Sequence, residues 1–243
     1  MTNGATQRAK QRIRNQIWEL LEAERAAPEG VAGHIPAFYG ADEAAARLAQ
    51  VPAWQAARII KAVPDLAQQP VRARALRDGK TVYMAAPRLA AAKPFYLLDP
   101  ETLMVPPEQA AAHRTAATVS QPVGPDEMRP VDLIVCGSVA VNRDGARLGK
   151  GAGYSDIEVA LLAEAGLIGK HTLIATTVHP LQIVQTDIPE TIHDFRVDLI
   201  ITPDDTITCP PQQRPTGIIW EHLQAETVAA IPALQARHPK NQI

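Results

Sequence analysis

The stretch DLIVCGSVAVNRDGARLGKGAGYSD, residues 132–156, decides how this chain is read. Its first part belongs to an apolar run, Val131 to Val141, and residues 132–135 predict a buried strand. Its last part, Arg147-Leu-Gly-Lys-Gly-Ala-Gly-Tyr-Ser-Asp156, alternates glycines at 149, 151 and 153. A helical pattern follows from Ile157 to Ala165. Glycines let a backbone turn tightly and approach a ligand. Backbone N–H groups opening onto a helix N-terminus attract anions. Arg147 and Lys150 add positive charge suited to phosphate, and Asp156 supplies a carboxylate that could hold Mg²⁺. Strand, glycine loop and helix in that order predict a phosphate cradle. A glycine-rich turn with solvated charges is the alternative.

The loop is neither of the two common nucleotide fingerprints. No Gly-Lys-Ser/Thr follows a first glycine at P-loop spacing, and the third glycine of a dinucleotide motif would fall at Tyr154. No G-x-S-x-G elbow is present, since Gly137-Ser138 lacks the second glycine, which argues against acyl-enzyme hydrolysis. Asp156 can equally serve as a first-turn acid that the helix dipole favours.

Outward from the loop, strand-like and helical segments alternate. Strands are expected at 58–63, 81–85, 95–98, 173–178, 198–201 and 217–220. Helices are expected at 5–26, 43–50, from Pro52, at 71–77, within 101–114 and at 223–230. Alternation of this kind predicts an α/β fold with a mostly parallel sheet covered on both faces. The 21 prolines are spread through the connections, so the 243 residues read as one domain, with a core over 5–232 and a loosely held tail over 233–243.

Composition narrows the function. A net charge of −2 offers no electrostatic case for nucleic acid or an anionic membrane. The basic segments at 8–14 and 72–80 read as helix faces. No apolar run reaches membrane-span length, and the N-terminus lacks the apolar core of a signal peptide. Cys136 and Cys209 are far apart and have no CxxC partner, as expected of a reduced, cytoplasmic protein without a zinc knuckle. His179 sits at the C-terminal end of the 173–178 strand, where parallel sheets bind ligands, and reads equally as a hydrogen-bonded core histidine. Asp187 and Asp194 read as loop acids.

Together these pieces resemble the 5-formyltetrahydrofolate cyclo-ligase family. The resemblance is carried by KQRIR at 10–14, the 132–156 segment, His179 to Gln182, and HDFRVDLIITP at 193–203, in the family's order. It implies a Rossmann-like three-layer α/β/α sandwich. It also implies ATP- and Mg²⁺-dependent closure of 5-formyltetrahydrofolate to 5,10-methenyltetrahydrofolate. By resemblance, Lys10, Gln11, Arg12, Ile13 and Arg14 contribute to the nucleotide site, with Lys10 and Arg14 on phosphates. Arg147, Leu148, Gly149, Lys150, Gly151, Ala152, Gly153, Tyr154 and Ser155 wrap the phosphates and the reacting formyl group. Arg147, Lys150 and Tyr154 are the catalytic candidates. Lys150, Tyr154 and His179 face a folate-like or other heteroaromatic substrate, and Asp156 and Asp194 are the Mg²⁺ ligands.

The chain departs from the family loop, roughly G-x-G-[GK]-G-Y-Y-D-R, at Ala152, at Ser155 in place of the second aromatic, and at Ile157 in place of the basic residue. These changes, with HIPAFYG at 34–40 and PTGIIW at 215–220, resemble a divergent branch of the family. That resemblance implies two alternatives: an ATP-using paralogue acting on another small molecule, thiamin-related chemistry included, or a nucleotide- or folate-binding protein without turnover.

Overall fold

A computed structural model of the chain describes residues 4–239. In chain order the elements are α1 (Gly4–Ala23), α2 (Ala41–Leu48), α3 (Pro52–Ala56), β1 (Ile59–Ala62), α4 (Gln69–Arg77), β2 (Thr81–Ala85) and β3 (Phe95–Leu98). There follow α5 (Pro107–Ala111), α6 (His113–Val119), β4 (Gln121–Val123), β5 (Leu133–Cys136), β6 (Ala140–Asn142), β7 (Arg147–Leu148) and α7 (Tyr154–Glu164). The last are β8 (Leu173–Thr177), β9 (Ile183–Val184), β10 (Leu199–Ile201), β11 (Thr206–Thr208), α8 (Ala225–Ala230) and α9 (Pro232–Arg237).

Eight strands form one sheet in the order β11-β10-β8-β5-β1-β2-β3-β4. The central pairings, β10 with β8, β8 with β5, β5 with β1 and β1 with β2, are parallel; β11, β3 and β4 join antiparallel. Every residue of β1, β2 and β5 is buried, as expected for strands with both faces covered. Alternate side chains feed two cores. Ile60, Ala62, Leu133 and Val135 pack under α1, α2 and α4, while Ile59, Ile134 and Cys136 pack under α7 and α9. The expected mixed α/β fold with a mostly parallel sheet is the one observed.

From β1 the chain runs outward to β2. From β5 it runs the other way, to β8 and β10. The neighbours β1 and β5 therefore flank a topological switch point, where their following loops part and leave a crevice. Asp65 follows β1. The segment after β5 first forms β6 and β7, which β9 later joins in a small sheet, and then the glycine loop.

Several expectations are corrected. The first helix stops at Ala23 because Arg25 adopts a left-handed φ of 52° and the Ala26 N–H reaches back to the Leu21 carbonyl (2.8 Å). The 101–114 segment is helical only after Pro106, as α5, with a break before α6 at Ala112. Residues 217–220 form no strand. Gly217 has φ 149°, and the Ile218 N–H donates to the Glu164 carboxylate (3.2 Å) instead of to a sheet neighbour. Within the segment expected as a tail, α9 spans Pro232–Arg237 with Ala233 and Leu234 buried. Of the residues called a tail, 240–243 lie outside the described residues.

Cys209, just past β11, links this packing to pH. Burial, with help from the charges of Asp198 and Asp144, raises its thiol pKa from 9.0 to about 11. Below pH 9 the thiol is protonated whether the chain is folded or not. Between 9 and 11 the unfolded chain releases that proton first, so folding stability falls with rising pH. Urea melts across this range are expected to show a shallower loss for Cys209→Ala than for the parent; equal slopes would rule the thiol out as a source.

Candidate active site

The crevice opens into a cavity of about 550 Å³, within the usual range for small-molecule sites. Four segments enclose it: the inner face of α1, the 147–157 loop with the start of α7, the 191–194 turn, and residues 213–227.

Each part follows from local sequence. Lys10 and Arg14 are one turn apart on α1, on the face that also buries Ile17 and Leu21, so both cations point inward. Gly151 (φ 105°) and Gly153 (φ 73°) take left-handed backbone that few other residues adopt. Gly153 thereby sets the start of α7, whose N-terminus faces the cavity. Arg14 Nε donates to the Gly149 carbonyl at 2.7 Å, pinning the loop to the first helix.

Three of the site's cations are paired with carboxylates. Lys10 Nζ donates to both oxygens of Asp194 (2.7 and 2.5 Å). Arg147 Nη2 faces Asp156 at 3.3 Å, and Lys150 Nζ faces Asp65 at 3.1 Å. Arg147 is only 4% exposed; its guanidinium lies over the Phe195 ring (4.2 Å) and donates to the Gly137 carbonyl (3.2 Å). Burial pushes the Asp156 carboxyl above the usual carboxylate range, more than the charge of Arg147 pulls it down. Burial acts the same way on Asp194, but hydrogen bonds from Lys10 and Thr191 outweigh it and hold that carboxyl below the usual range. Two carboxylates with opposite shifts thus share one cavity, each facing a cation.

Behind the loop, Lys61 on β1 and Glu158 on α7 form a buried ion pair. Glu158 is two residues past Asp156, so the pair fixes the rotation of α7 about its axis and with it the direction of Asp156.

The structure brings together most of the sequence-derived candidates. Lys10, Arg14 and residues 147–156 all line the cavity, as does Asp194. Gln11 and Arg12 are exposed, and neither they nor Ile13 reach the lining. His179 is also outside the lining. Its Nδ1 accepts from the Leu181 N–H (3.2 Å), capping the turn at Pro180–Gln182, and its ring packs edge-on to Phe38. His179 is thus half-buried and hydrogen-bonded within the turn that it caps. Sequence reading missed Asp65, which follows β1 at the C-terminal end of a parallel strand. It also missed residues 213–219, taken in part for a strand, although Pro215 and Gly217 argue for irregular backbone.

Residues 6–203 match the model of the 5-formyltetrahydrofolate cyclo-ligase family. The chain belongs to that family. It is 38% identical over 240 residues to the methenyltetrahydrofolate synthase domain-containing protein of Mus musculus, covering 93% of this chain and 62% of that protein. The Homo sapiens protein of the same name is 34% identical over 247 residues, covering 96% and 62%. The chain thus spans about three fifths of the length of these curated relatives. The solved structure of Aquifex aeolicus 5,10-methenyltetrahydrofolate synthetase superposes with a TM-score of 0.53 at 17% identity, over 90% of this chain and 99% of that one. At that identity the likeness concerns the fold alone. No helix among the described residues is long and apolar enough to cross a membrane.

Proposed function

We propose that the chain is an ATP- and Mg²⁺-dependent ligase that closes a ring on a formylated nitrogen heterocycle, with 5-formyltetrahydrofolate as its substrate. The observation that carries this reading is the convergence of Lys10, Arg14, Arg147 and Lys150 on a glycine loop at a helix N-terminus, with Asp156 and Asp194 between them.

The reaction consumes ATP and yields 5,10-methenyltetrahydrofolate, ADP and phosphate. The formyl oxygen takes the γ-phosphoryl group, N10 bonds to the activated carbon, and that oxygen leaves as phosphate. Such chemistry needs positioned charge more than covalent help. Lys10 and Arg14, fixed on a helix, hold phosphate oxygens. Arg147 and Lys150 offset the charge that develops on the transferring group. Tyr154, at the start of α7, packs on or hydrogen-bonds the substrate beside the formyl group.

The donor set fits Mg²⁺. Among the described residues no three His, Cys, Asp or Glu side chains cluster as a metal site, but Mg²⁺ takes one or two carboxylates and completes its shell with phosphate oxygens and water. Asp156 and Asp194 are the residues that would hold it, and it would neutralise phosphate charge. Phosphates held by Lys10 and Arg147 would leave both carboxylates available to the metal. The local swap keeps every charge partnered.

Ser155, at the family's second aromatic position, and the cavity wall beyond residue 203 favour a second reading, in which a different heteroaromatic replaces the folate. Purified protein with 5-formyltetrahydrofolate, ATP and Mg²⁺ is expected to produce the methenyl chromophore. Asp156→Ala is expected to weaken Mg-ATP binding by roughly tenfold or more. ATP binding without methenyl product would overturn the folate assignment, and unchanged binding by the variant would remove Asp156 from the metal site.

A further inference from the structure

The cavity's outer wall is formed within residues 213–224, by 213–219 and 222–224, which lie past residue 203, where the family match stops. This wall is held from behind. Arg214 Nε donates to the Thr172 carbonyl (2.9 Å) and its Nη2 to Asp198 (2.5 Å). The Ile218 N–H is fixed on Glu164 (3.2 Å), and the Trp220 ring meets His238 edge-on at 5.2 Å. Ile218, Trp220 and Leu223 pack on the core beneath α7.

Ile219 differs from these neighbours. It lines the cavity and is half-buried, yet it belongs to neither hydrophobic core. Ile192 on the 191–194 turn also lines the cavity and is 72% exposed. Two large apolar side chains thus stand at the cavity with no core partner. The turn and the wall are tied together by His193 Nε2 and His222 Nδ1, 3.1 Å apart. The remaining polar groups of the wall, Gln213, Thr216 and Gln224, carry no charge, and its cation, Arg214, pairs with Asp198 through Nη2 while its buried Nη1 has no partner among the described residues. The cavity therefore has a cationic end at the glycine loop and an uncharged, amphipathic end at the wall.

We propose that the 213–224 wall recognises the acceptor substrate. It takes an uncharged bicyclic nitrogen heterocycle, with Ile192 and Ile219 covering ring faces and the amides and imidazoles reading the ring's edge. Ile219 is the specificity-determining residue. The assignment rests on the ligase reading, because the ring must lie beside the phosphate cradle. It adds that the chain reads the ring and not a charged tail, since the charge of the wall's lining cation, Arg214, is already met by Asp198.

Calorimetric titration of the parent, Ile219→Ala and Ile219→Trp tests this with two probes, 5-formyltetrahydrofolate and the tail-less 5-formyltetrahydropterin. Each is titrated with and without Mg²⁺ and a non-hydrolysable ATP analogue. The parent is expected to bind both rings with affinities within about threefold of each other. Ile219→Ala is expected to weaken both by about tenfold and Ile219→Trp to abolish both, while affinity for the ATP analogue stays within about twofold. Ring affinity unchanged in Ile219→Ala, a parallel fall in nucleotide affinity, a strong preference for the tailed ring, or a parent that binds neither ring would each overturn the proposal. If the nucleotide analogue does not bind the parent but Ile219→Ala still loses ring affinity, the wall stands and the ligase reading falls.

Discussion

Arg147→Ala is expected to lower turnover of 5-formyltetrahydrofolate by about 10²–10³-fold, the usual cost of removing one preorganised charge aimed at a transition state. Its guanidinium cannot be replaced by water or by a neighbour. It is almost wholly buried, stacked on Phe195, hydrogen-bonded to Gly137 and faced by Asp156. Removal also leaves Asp156 in a site where burial already disfavours its charge. Mg-ATP affinity should therefore fall along with the rate. Arg147→Lys should recover little, because an ammonium can neither stack on Phe195 nor offer the fork that serves Gly137 and Asp156 together. The checks are kcat, nucleotide affinity and Tm on the same preparations. A rate within about fivefold of the parent, in a variant of unchanged Tm, would remove Arg147 from the chemistry.

Lys61→Met is expected to destabilise the fold by about 3–5 kcal/mol, because it strands the Glu158 carboxylate between β1 and α7 with its partner gone. The pair itself contributes less than that figure suggests, since ionic groups moved into an interior give up hydration on both sides. The double change Lys61→Met with Glu158→Leu should thus recover most of the loss. Denaturant melts of the parent, the two single variants and the double variant measure the coupling directly. A single variant within about 1 kcal/mol of the parent would mean that the carboxylate reaches water after all. The double variant then separates stability from function. If the pair sets the rotation of α7, nucleotide affinity stays low although stability has returned.

The sheet was legible in the chain because its strands announce themselves. IIKA, TVYMA and LIVC are short apolar runs bounded by turn residues, and such runs have few other places to go than a covered sheet. The glycine loop was legible because positive φ leaves glycine as its trace. Partnership was not legible. Nothing in the spacing of Lys10 and Asp194, or of Lys150 and Asp65, shows that they meet; the fold brings them together. The small β7-β6-β9 sheet escaped because its strands are two or three residues long and β6 begins inside the apolar run that ends at Val141. The outer wall was misread because Ile218 and Ile219 look like a strand to any propensity argument. Their backbone is set instead by Gly217 and by a carboxylate on α7.

Lys10 and Asp194 are 184 positions apart, and Arg14 and Gly149 are separated by 135. Contacts that close such long loops are made late in folding, since their entropic cost must be met before they return anything. The β1–β2 pairing, by contrast, joins residues 22 positions apart, as in Ile59 with Thr81. By this argument α1 is seated late. Until it is seated, two of the four cations have nowhere to act. Nucleotide affinity in a refolding chain then reports completion of the whole topology, and a tightly bound nucleotide would hold the first helix onto the fold.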